Sequence, residues 1–439
     1  MKVIIAEPIP SLNKGEAAIL RGIQEALAVC GDVNLMLYSP SGWVETDQKR
    51  YGNGIAITSG VDLWDAENNF LENPVPRNRT HFFKTWGKLL LFSLMARVSK
   101  KIANNLIKDD FLSSLADADL IIAGHDGMIG HSHFYIVLAA KIMNKPIALY
   151  GGGNDFKGRS KKIRVRKFLQ FMANNSILFT VRDTNTRDCL IANDVDPSKV
   201  HLFPDPAVLL KPCSKARVDE ILKIENIPAT EKLLFGLIPV RGGIVADKSF
   251  SSEPNPDKKH ELRVKLWVDL LSHLLNTTNA HFVFLPHCIG PTFVFDDRRM
   301  MKDIYDAMPE GKDRITVINN EYSESELKGL MKRCEFILGE RTHALIGAVS
   351  AAAPCVALTV VEDLRMHYII NKMFKRPTFN LNNPDAGKLR NLLTEEWNNR
   401  KKTAVEMAVQ AEHILKEALR AANMLKERIE VVYGRKKED

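Results

Sequence analysis

The chain has 439 residues, too many for one hydrophobic core in most architectures, so two domains are the default. Hydrophobic residues make up 45% and charged residues 26%, ordinary for a globular protein, and the formal net charge of +8 suits anionic small molecules, acidic membranes or nucleic acid without selecting among them. The six cysteines are scattered and form no CxxC pair, which removes the usual support for a zinc or redox motif and points to a reducing compartment.

The N-terminus, MKVIIAEPIP, has too short an apolar run for a signal peptide and is expected to be a first strand. VIIAE (3–7), LMLYS (35–39), LIIAG (120–124), IALYGGG (147–153) and ILFTVR (177–182) form a series of apolar strands. Helical patterns lie at 15–29, 133–143, 161–174 and 184–193. Such alternation predicts a parallel sheet covered on both faces. The polar stretch 211–231 is expected to be a crossover between domains. A second strand series follows: LLFGLIPV (233–240), HFVFLPH (281–287), ITVI (315–318), EFILGE (335–340) and CVALTVV (355–361), with helical patterns at 261–276, 323–333 and 343–352. The fold class is therefore α/β, with two doubly wound Rossmann-like domains and ligands expected at the C-terminal ends of the strands. The expected boundaries are 1–212, 228–400, and 401–439 for the end of a long C-terminal helix and its charged tail.

Three further segments stand out. Residues 344–361 carry no charge over a membrane-spanning length, but Pro354 and the change from Ala/Gly-rich to β-branched residues predict a helix, a turn and a buried strand. Residues 241–260 form a Gly/Ser/Pro-rich loop of the kind that covers active sites. Segment 81–108 mixes Phe82, Phe83, Trp86 and a leucine run with lysines and arginine. It suits a helix lying on an anionic membrane surface. It equally suits a core-facing helix with solvated lysines, and the ordinary meaning of an apolar stripe favours the latter.

Candidate site residues collect at strand ends. In SLNKGEAAILRGI (11–23), Asn13 and Gly15 suit a tight strand-to-helix turn, and Glu16 falls where a helix N-terminus welcomes a carboxylate. Asn13 and Lys14 are candidate ligand contacts, although a purely structural cap by Asn13 and Glu16 accounts for the same residues. AGHDGMIG (123–130) offers His125 and Asp126, or a histidine with only a local hydrogen bond. GGGND (151–155) implies an unusual backbone path. Arg182, ending its strand, is either an anion clamp or one half of a structural ion pair. In the second half Arg241, His287, Arg341 and His343 each follow a strand. Several cations on one sheet edge describe a site for an anionic substrate. No carboxylate cluster with ligand spacing accompanies them, so no metal is expected.

These motifs resemble, in order, those of the polysaccharide pyruvyl transferase family. Asn13-Lys14-Gly15-Glu16-Ala17-Ala18-Ile19 is similar to its N-x-G-D-x-A-I opening, with Glu16 in place of Asp. LIIAGHDGMIG is placed like its glycine-rich loop, VRD (181–183) like its R-D element, and FPDPAVLL (203–210) like its P-D-P segment. FLPH (284–287) and RTHALIGAVSAAAPCVAL (341–358) resemble its late strand and its R-x-H-A-L element. The resemblance implies a glycosyltransferase-B-like pair of domains and transfer of pyruvate from phosphoenolpyruvate, the co-substrate, to a sugar as a ketal, with no other cofactor. It implies that Arg182 and His343 belong to the active site. Arg182, Arg341, Arg365 (in VEDLRMHY, for a lysine the family carries there), Arg241 and His287 are then expected on the donor. His343 is expected as general acid and Glu16 as base, with Asn13, Lys14, His125 and Asp126 on the acceptor. The acceptor is a sugar of a cell-surface polysaccharide or its lipid-linked precursor. A cytoplasmic protein is expected, at the inner face of the plasma membrane if segment 81–108 touches lipid, with no nucleic-acid partner. Two alternatives remain: a nucleotide-sugar-dependent glycosyltransferase of the same fold, and a non-catalytic carbohydrate-binding relative.

Overall fold

The computed structural model describes residues 1–64, 79–125, 129–153, 158–228, 233–290 and 293–438. The chain divides into two compact units. Unit 1 comprises Met1–Ser11, Ile23–Pro206 and Glu417–Asp439; unit 2 comprises Leu12–Gly22 and Ala207–Lys416.

Unit 1 holds a parallel sheet of β1 (Lys2–Ile5), β2 (Asn34–Tyr38), β3 (Ala56–Thr58), β4 (Leu120–Ala123), β5 (Ile147–Gly152), β6 (Leu178–Val181) and β7 (His201–Leu202), in the order β3-β2-β1-β4-β5-β6-β7. The central strands have no exposed face: LIIA of β4 and LFTV of β6 are buried at every position. That is why they are continuously apolar instead of alternating. The register places Val3 opposite Leu120 and Ile121 opposite Ile147. Helices including Phe111, Ile136, Val137, Leu169 and Met172 close the core over them.

Unit 2 repeats the plan. Strands β8 (Leu234–Ile238), β9 (His281–Phe284), β10 (Ile315–Val317), β11 (Phe336–Gly339), β12 (Cys355–Thr359) and β13 (Thr378–Asn380) run parallel in the order β10-β9-β8-β11-β12-β13. In both sheets the order reverses beside the first strand, so the strands that follow β1 and β8 in chain order go to one side and β4 and β11 to the other. The window 344–361 resolves into helix Thr342–Ser350, a turn with Ala352 at φ 59°, and β12. Among the described residues no helix is long and apolar enough to cross a membrane.

The units' membership departs from boundaries at 212, 228 and 401. Residues 12–22 belong with unit 2 because Asn13 pairs in antiparallel fashion with Cys288. The supposed crossover 211–231 contains the helix Lys215–Ile224, and the short 3-10 turn Pro206–Leu209 before it is held to unit 2 by the buried Lys328, whose Nζ donates to the carbonyls of Val208 (3.1 Å) and Leu210 (2.6 Å). The expected loop 241–260 contains a short helix, Ile244–Lys248, and the start of a long one, Pro256–Thr277, whose Asn255 cap accepts from the amides of Asp257 and Lys258. Strands β3, β7 and β13 were not legible; each is an edge or near-edge strand of two or three residues.

The last helix runs Ala386–Glu438. Leu389, Leu393 and Trp397 recur every four residues and enter the unit 2 core, where Trp397 stacks on Phe235 at 5.4 Å and meets Phe336 edge-on at 6.3 Å. The Arg400 guanidinium lies 4.0 Å over the outer face of the indole. Trp397→Ala should therefore destabilise the protein by roughly 3–5 kcal/mol in urea denaturation, the usual cost of emptying an aromatic core position.

Candidate functional site

The best-defined site begins where β11 ends, at Glu340-Arg341-Thr342-His343. Glu340 is 3% exposed and serves the scaffold: its carboxylate accepts from Val240 N (2.8 Å), Arg263 Nη2 (2.6 Å) and Trp267 Nε1 (3.0 Å). Arg341 is gripped by a second buried carboxylate. Its Nη2 donates to Asp297 Oδ1 at 2.6 Å and its Nε to Oδ2 at 3.2 Å. Asp297, fully buried, also accepts from the amides of Arg241 (3.3 Å) and Cys288 (2.9 Å). One carboxylate thus joins the tips of β8, β9 and β11. Burial alone would weaken the Arg341 cation, but Asp297 more than offsets it and holds the guanidinium charged, well above its ordinary range. The Nη1 edge is not engaged by Asp297.

His343 lies in the first turn of helix Thr342–Ser350, where unpaired amides favour anions. It packs against the turn that opens the first helix, Lys14–Leu27. A Cβ on Gly15 would stand 2.7 Å from His343 Cβ, so only glycine permits this approach. Backbone pairing fixes the turn: Lys14 N donates to His287 O (2.9 Å) and Ile289 N to Leu12 O (3.0 Å). Asn13 Oδ1 accepts from Gly15 N (3.2 Å) while its Nδ2 donates to Glu16 Oε1 (2.7 Å), a cap closed through side chains. Lys14 is 3% exposed and its Nζ reaches Glu321 at 2.8 Å.

His287 lies among these groups. Burial, followed by the charges of Arg341, His343 and Lys14, pushes its pKa down to about 3, and its buried Nε2 has no hydrogen-bond partner among the described residues. Six expected site residues (Asn13, Lys14, Glu16, His287, Arg341, His343) are thus assembled in unit 2 around one turn and the ends of two strands, β9 and β11. Asp297 and Glu340, which hold them, were missed. Glu340 ends the EFILGE run, but a carboxylate at a strand end gives no local sign that its partners lie 73 to 100 residues away.

The other expected residues make contacts of their own. Arg241 bonds Asp297 through its amide, but its guanidinium turns to His260 (2.7 Å) in a cavity of about 560 Å³ walled by the 241–260 segment, Arg263 and Phe295. Arg365 caps a π-helical turn, Met366–Met373, with its Nε 3.7 Å from Asp363. Arg182, in unit 1, forms the ion pair that was the alternative to a clamp: Nη1 lies 2.8 Å from Asp205 of the P-D-P segment, and both are buried. The triple glycine explains itself here, since Gly151 turns at φ +81° and a Cβ on Gly153 would lie 3.0 Å from Arg182 Nε.

His125 has the local partner that was the alternative to a ligand contact. The side chain is 2% exposed and faces Glu7, just past β1, with Nδ1 2.7 Å from Oε1. His133 binds the other carboxylate oxygen through Nε2 at 3.1 Å, while its Nδ1 accepts from Gly130 N at 3.0 Å. Burial disfavours the Glu7 carboxylate, but the two histidines outweigh it and hold its pKa far below the usual range. This partnership is tertiary: the sequence separation between His125 and Glu7 hides a partner that β1–β4 pairing brings alongside. Asp126 lies outside the described residues. Among those described, no group of three His, Cys, Asp or Glu side chains is arranged to hold a metal ion.

The polysaccharide pyruvyl transferase family model matches residues 13–360, from the Asn13 turn to the end of β12. The chain belongs to the polysaccharide pyruvyl transferase family. Membership supports a transferase acting on polysaccharide, with a sugar or polysaccharide acceptor. The fold of this pyruvyl transferase family member is shared with solved structures at low identity. A putative UDP-N-acetylglucosamine 2-epimerase from Listeria monocytogenes is 10% identical at a TM-score of 0.55, over 98% of this chain and 96% of that one. The UDP-GlcNAc 2-epimerase of Neisseria meningitidis, solved with UDP-GlcNAc, is 13% identical at 0.54, over 98% and 99%. HepE of Anabaena, solved with UDP-glucose, is 11% identical at 0.52, over 99% and 100%. These likenesses show the fold, two Rossmann-like units of the glycosyltransferase-B class. No curated protein matches the chain.

Two measurements test the site's construction. Asp297→Ala strands the buried Arg341 charge and two amides, so stability should fall by roughly 3–5 kcal/mol. His287 gives a pH signature. Below about 6.5 the unfolded chain protonates it, while the folded state resists until about 3. Its stabilising contribution is full above 6.5 and is lost as the pH falls from there toward 3. Relative to His287→Gln, the wild type should lose up to about 1.4 kcal/mol more per pH unit across that interval.

Proposed function

We propose that the protein transfers pyruvate from phosphoenolpyruvate to two hydroxyls of a sugar in a cell-surface polysaccharide or its lipid-linked precursor, forming a cyclic ketal and releasing phosphate. The observation that carries this reading is the contact of Gly15 with His343, which sets Lys14, His287 and Arg341 around the start of an anion-favouring helix. Family membership supports the same chemistry.

Phosphoenolpyruvate carries a phosphate and a carboxylate. In this proposal the free edge of Arg341, Lys14 and the amides at Thr342–Ala344 hold those groups, so Lys14 moves from the acceptor to the donor side. His343 delivers a proton to the methylene carbon, which becomes the methyl group. The first sugar hydroxyl adds to C2, and Glu16 takes its proton. The second hydroxyl then displaces phosphate from C2, and its proton leaves with the phosphate. His287, kept neutral, contributes Nε2 as an acceptor or donor without adding repulsion among the cations. We place the reaction in the cytoplasm, a setting that suits six free cysteines.

The test is incubation with phosphoenolpyruvate and candidate glycans, following inorganic phosphate and a product heavier by pyruvate less water. His343→Ala should lower kcat by about 10²–10⁴-fold at saturating donor. Thermal stabilisation by UDP, with none by phosphoenolpyruvate and no phosphate release, would favour a nucleotide-sugar enzyme and sink this proposal.

A further inference from the structure

The helix Arg79–Val98 is apolar on two opposite faces. One face is the expected core stripe: Trp86, Leu89 and Phe92 are buried in unit 1, with Trp86 stacked on Tyr135 at 4.6 Å. The other face is in solvent. Phe83, Leu91, Leu94 and Val98 are each more than half exposed, and with Gly87 they recur every three or four residues, which puts them on one line along the helix. After Ser99 caps the next helix, Lys100–Leu106, the pattern continues with Ile102 and Leu106, again more than half exposed and one turn apart.

The charges that the segment itself carries are of one sign. Residues 79–108 contain seven Lys and Arg and no Asp or Glu, so the strip has no anionic neighbour within its own segment. Lys88 is used by Asp109 and Lys100 by Asp117. Lys84, Arg97, Lys101 and Lys108 make no ion pair with any described residue, and all four are exposed. By helical spacing Lys84 and Arg97 lie on opposite flanks of the Phe83–Val98 line. Long basic side chains on both flanks of an apolar strip suit a surface that is hydrocarbon in the middle and anionic at the rim. The segment is not able to span: no described helix has the length and apolarity required.

We propose that this face of unit 1 seats the protein on an anionic lipid bilayer, with Leu91, Leu94, Val98, Ile102 and Leu106 at the acyl boundary and Lys84, Arg97, Lys101 and Lys108 on lipid phosphates. It rests on the surface of unit 1 and not on the chemistry assigned to unit 2, so the two fail separately. A basic residue at such a surface is worth about a fivefold change in partition. An inserted leucine contributes more than about tenfold.

The test is flotation of the full chain with vesicles of phosphatidylglycerol and phosphatidylcholine, against phosphatidylcholine alone. Binding is expected to the first, and to fall with added salt. The double variant Leu94→Glu/Val98→Glu should abolish it, and Arg97→Glu/Lys101→Glu should weaken it by about 25-fold or more. Because these side chains point to solvent, melting temperatures should not change. Absence of flotation, equal flotation of the variants, or a wild type that sediments as a dimer which Leu94→Glu/Val98→Glu renders monomeric would each overturn the proposal, the last by assigning the face to a second copy of the chain.

Discussion

The carboxylate of Asp297 is the constraint on which the unit 2 site depends. A fully buried anion persists only if its lone pairs are filled, and here two amides from neighbouring strand tips and one guanidinium fill them. The arrangement works in both directions. Asp297 keeps Arg341 charged and aims it, and Arg341 together with the amides makes the buried carboxylate tolerable. Because Arg341 also caps helix Thr342–Ser350, the same tie sets where His343 begins. Glu340 performs the parallel task one residue earlier, joining Val240, Arg263 and Trp267. Two adjacent residues of one motif are thus anchored to different parts of the unit, which leaves their helix little freedom to shift.

Unit 1 uses the same device at its own strand ends. Glu7 follows β1 and joins His125 and His133; Asp205 follows β7 and joins Arg182 at the end of β6. In each sheet, buried acids tie together loops that leave parallel strands at their C-terminal edge. Parallel sheets converge polar loop backbone at that edge, and ion pairs with well-placed donors satisfy it where regular hydrogen bonding stops. The cations seen in the sequence therefore divide into two kinds. Arg182 and His125 each face a buried acid in unit 1, whereas Arg341, tied to Asp297, and Lys14, tied to Glu321, stand together with His343 beside a neutral His287 in unit 2.

That neutrality has a chemical use. Three cationic or potentially cationic groups close together repel a fourth, and burial adds to the penalty, so His287 remains an uncharged imidazole under the conditions where the others attract an anion. In the proposed reaction Arg341 and Lys14 supply positive charge to the donor, and His287 supplies a ring nitrogen that has no partner among the described residues.

Much of this was legible in the sequence, and for definite reasons. Continuous apolar runs such as VII, LIIA and FILG suit strands buried on both faces of a covered parallel sheet, so ten of the thirteen described strands and the α/β class follow from local pattern. The break at Pro354 likewise divided an uncharged window into helix and strand. The cationic residues at strand ends followed from their position after those runs. What local pattern does not carry is partnership. That Arg182 pairs with Asp205, that His125 faces Glu7, and where residues 12–22 pack are set by which chain segments the sheets bring side by side. Those pairings span tens to hundreds of residues, and the energy of a buried charge depends on what surrounds it and not on its neighbours in the chain. Only the tertiary structure decided them.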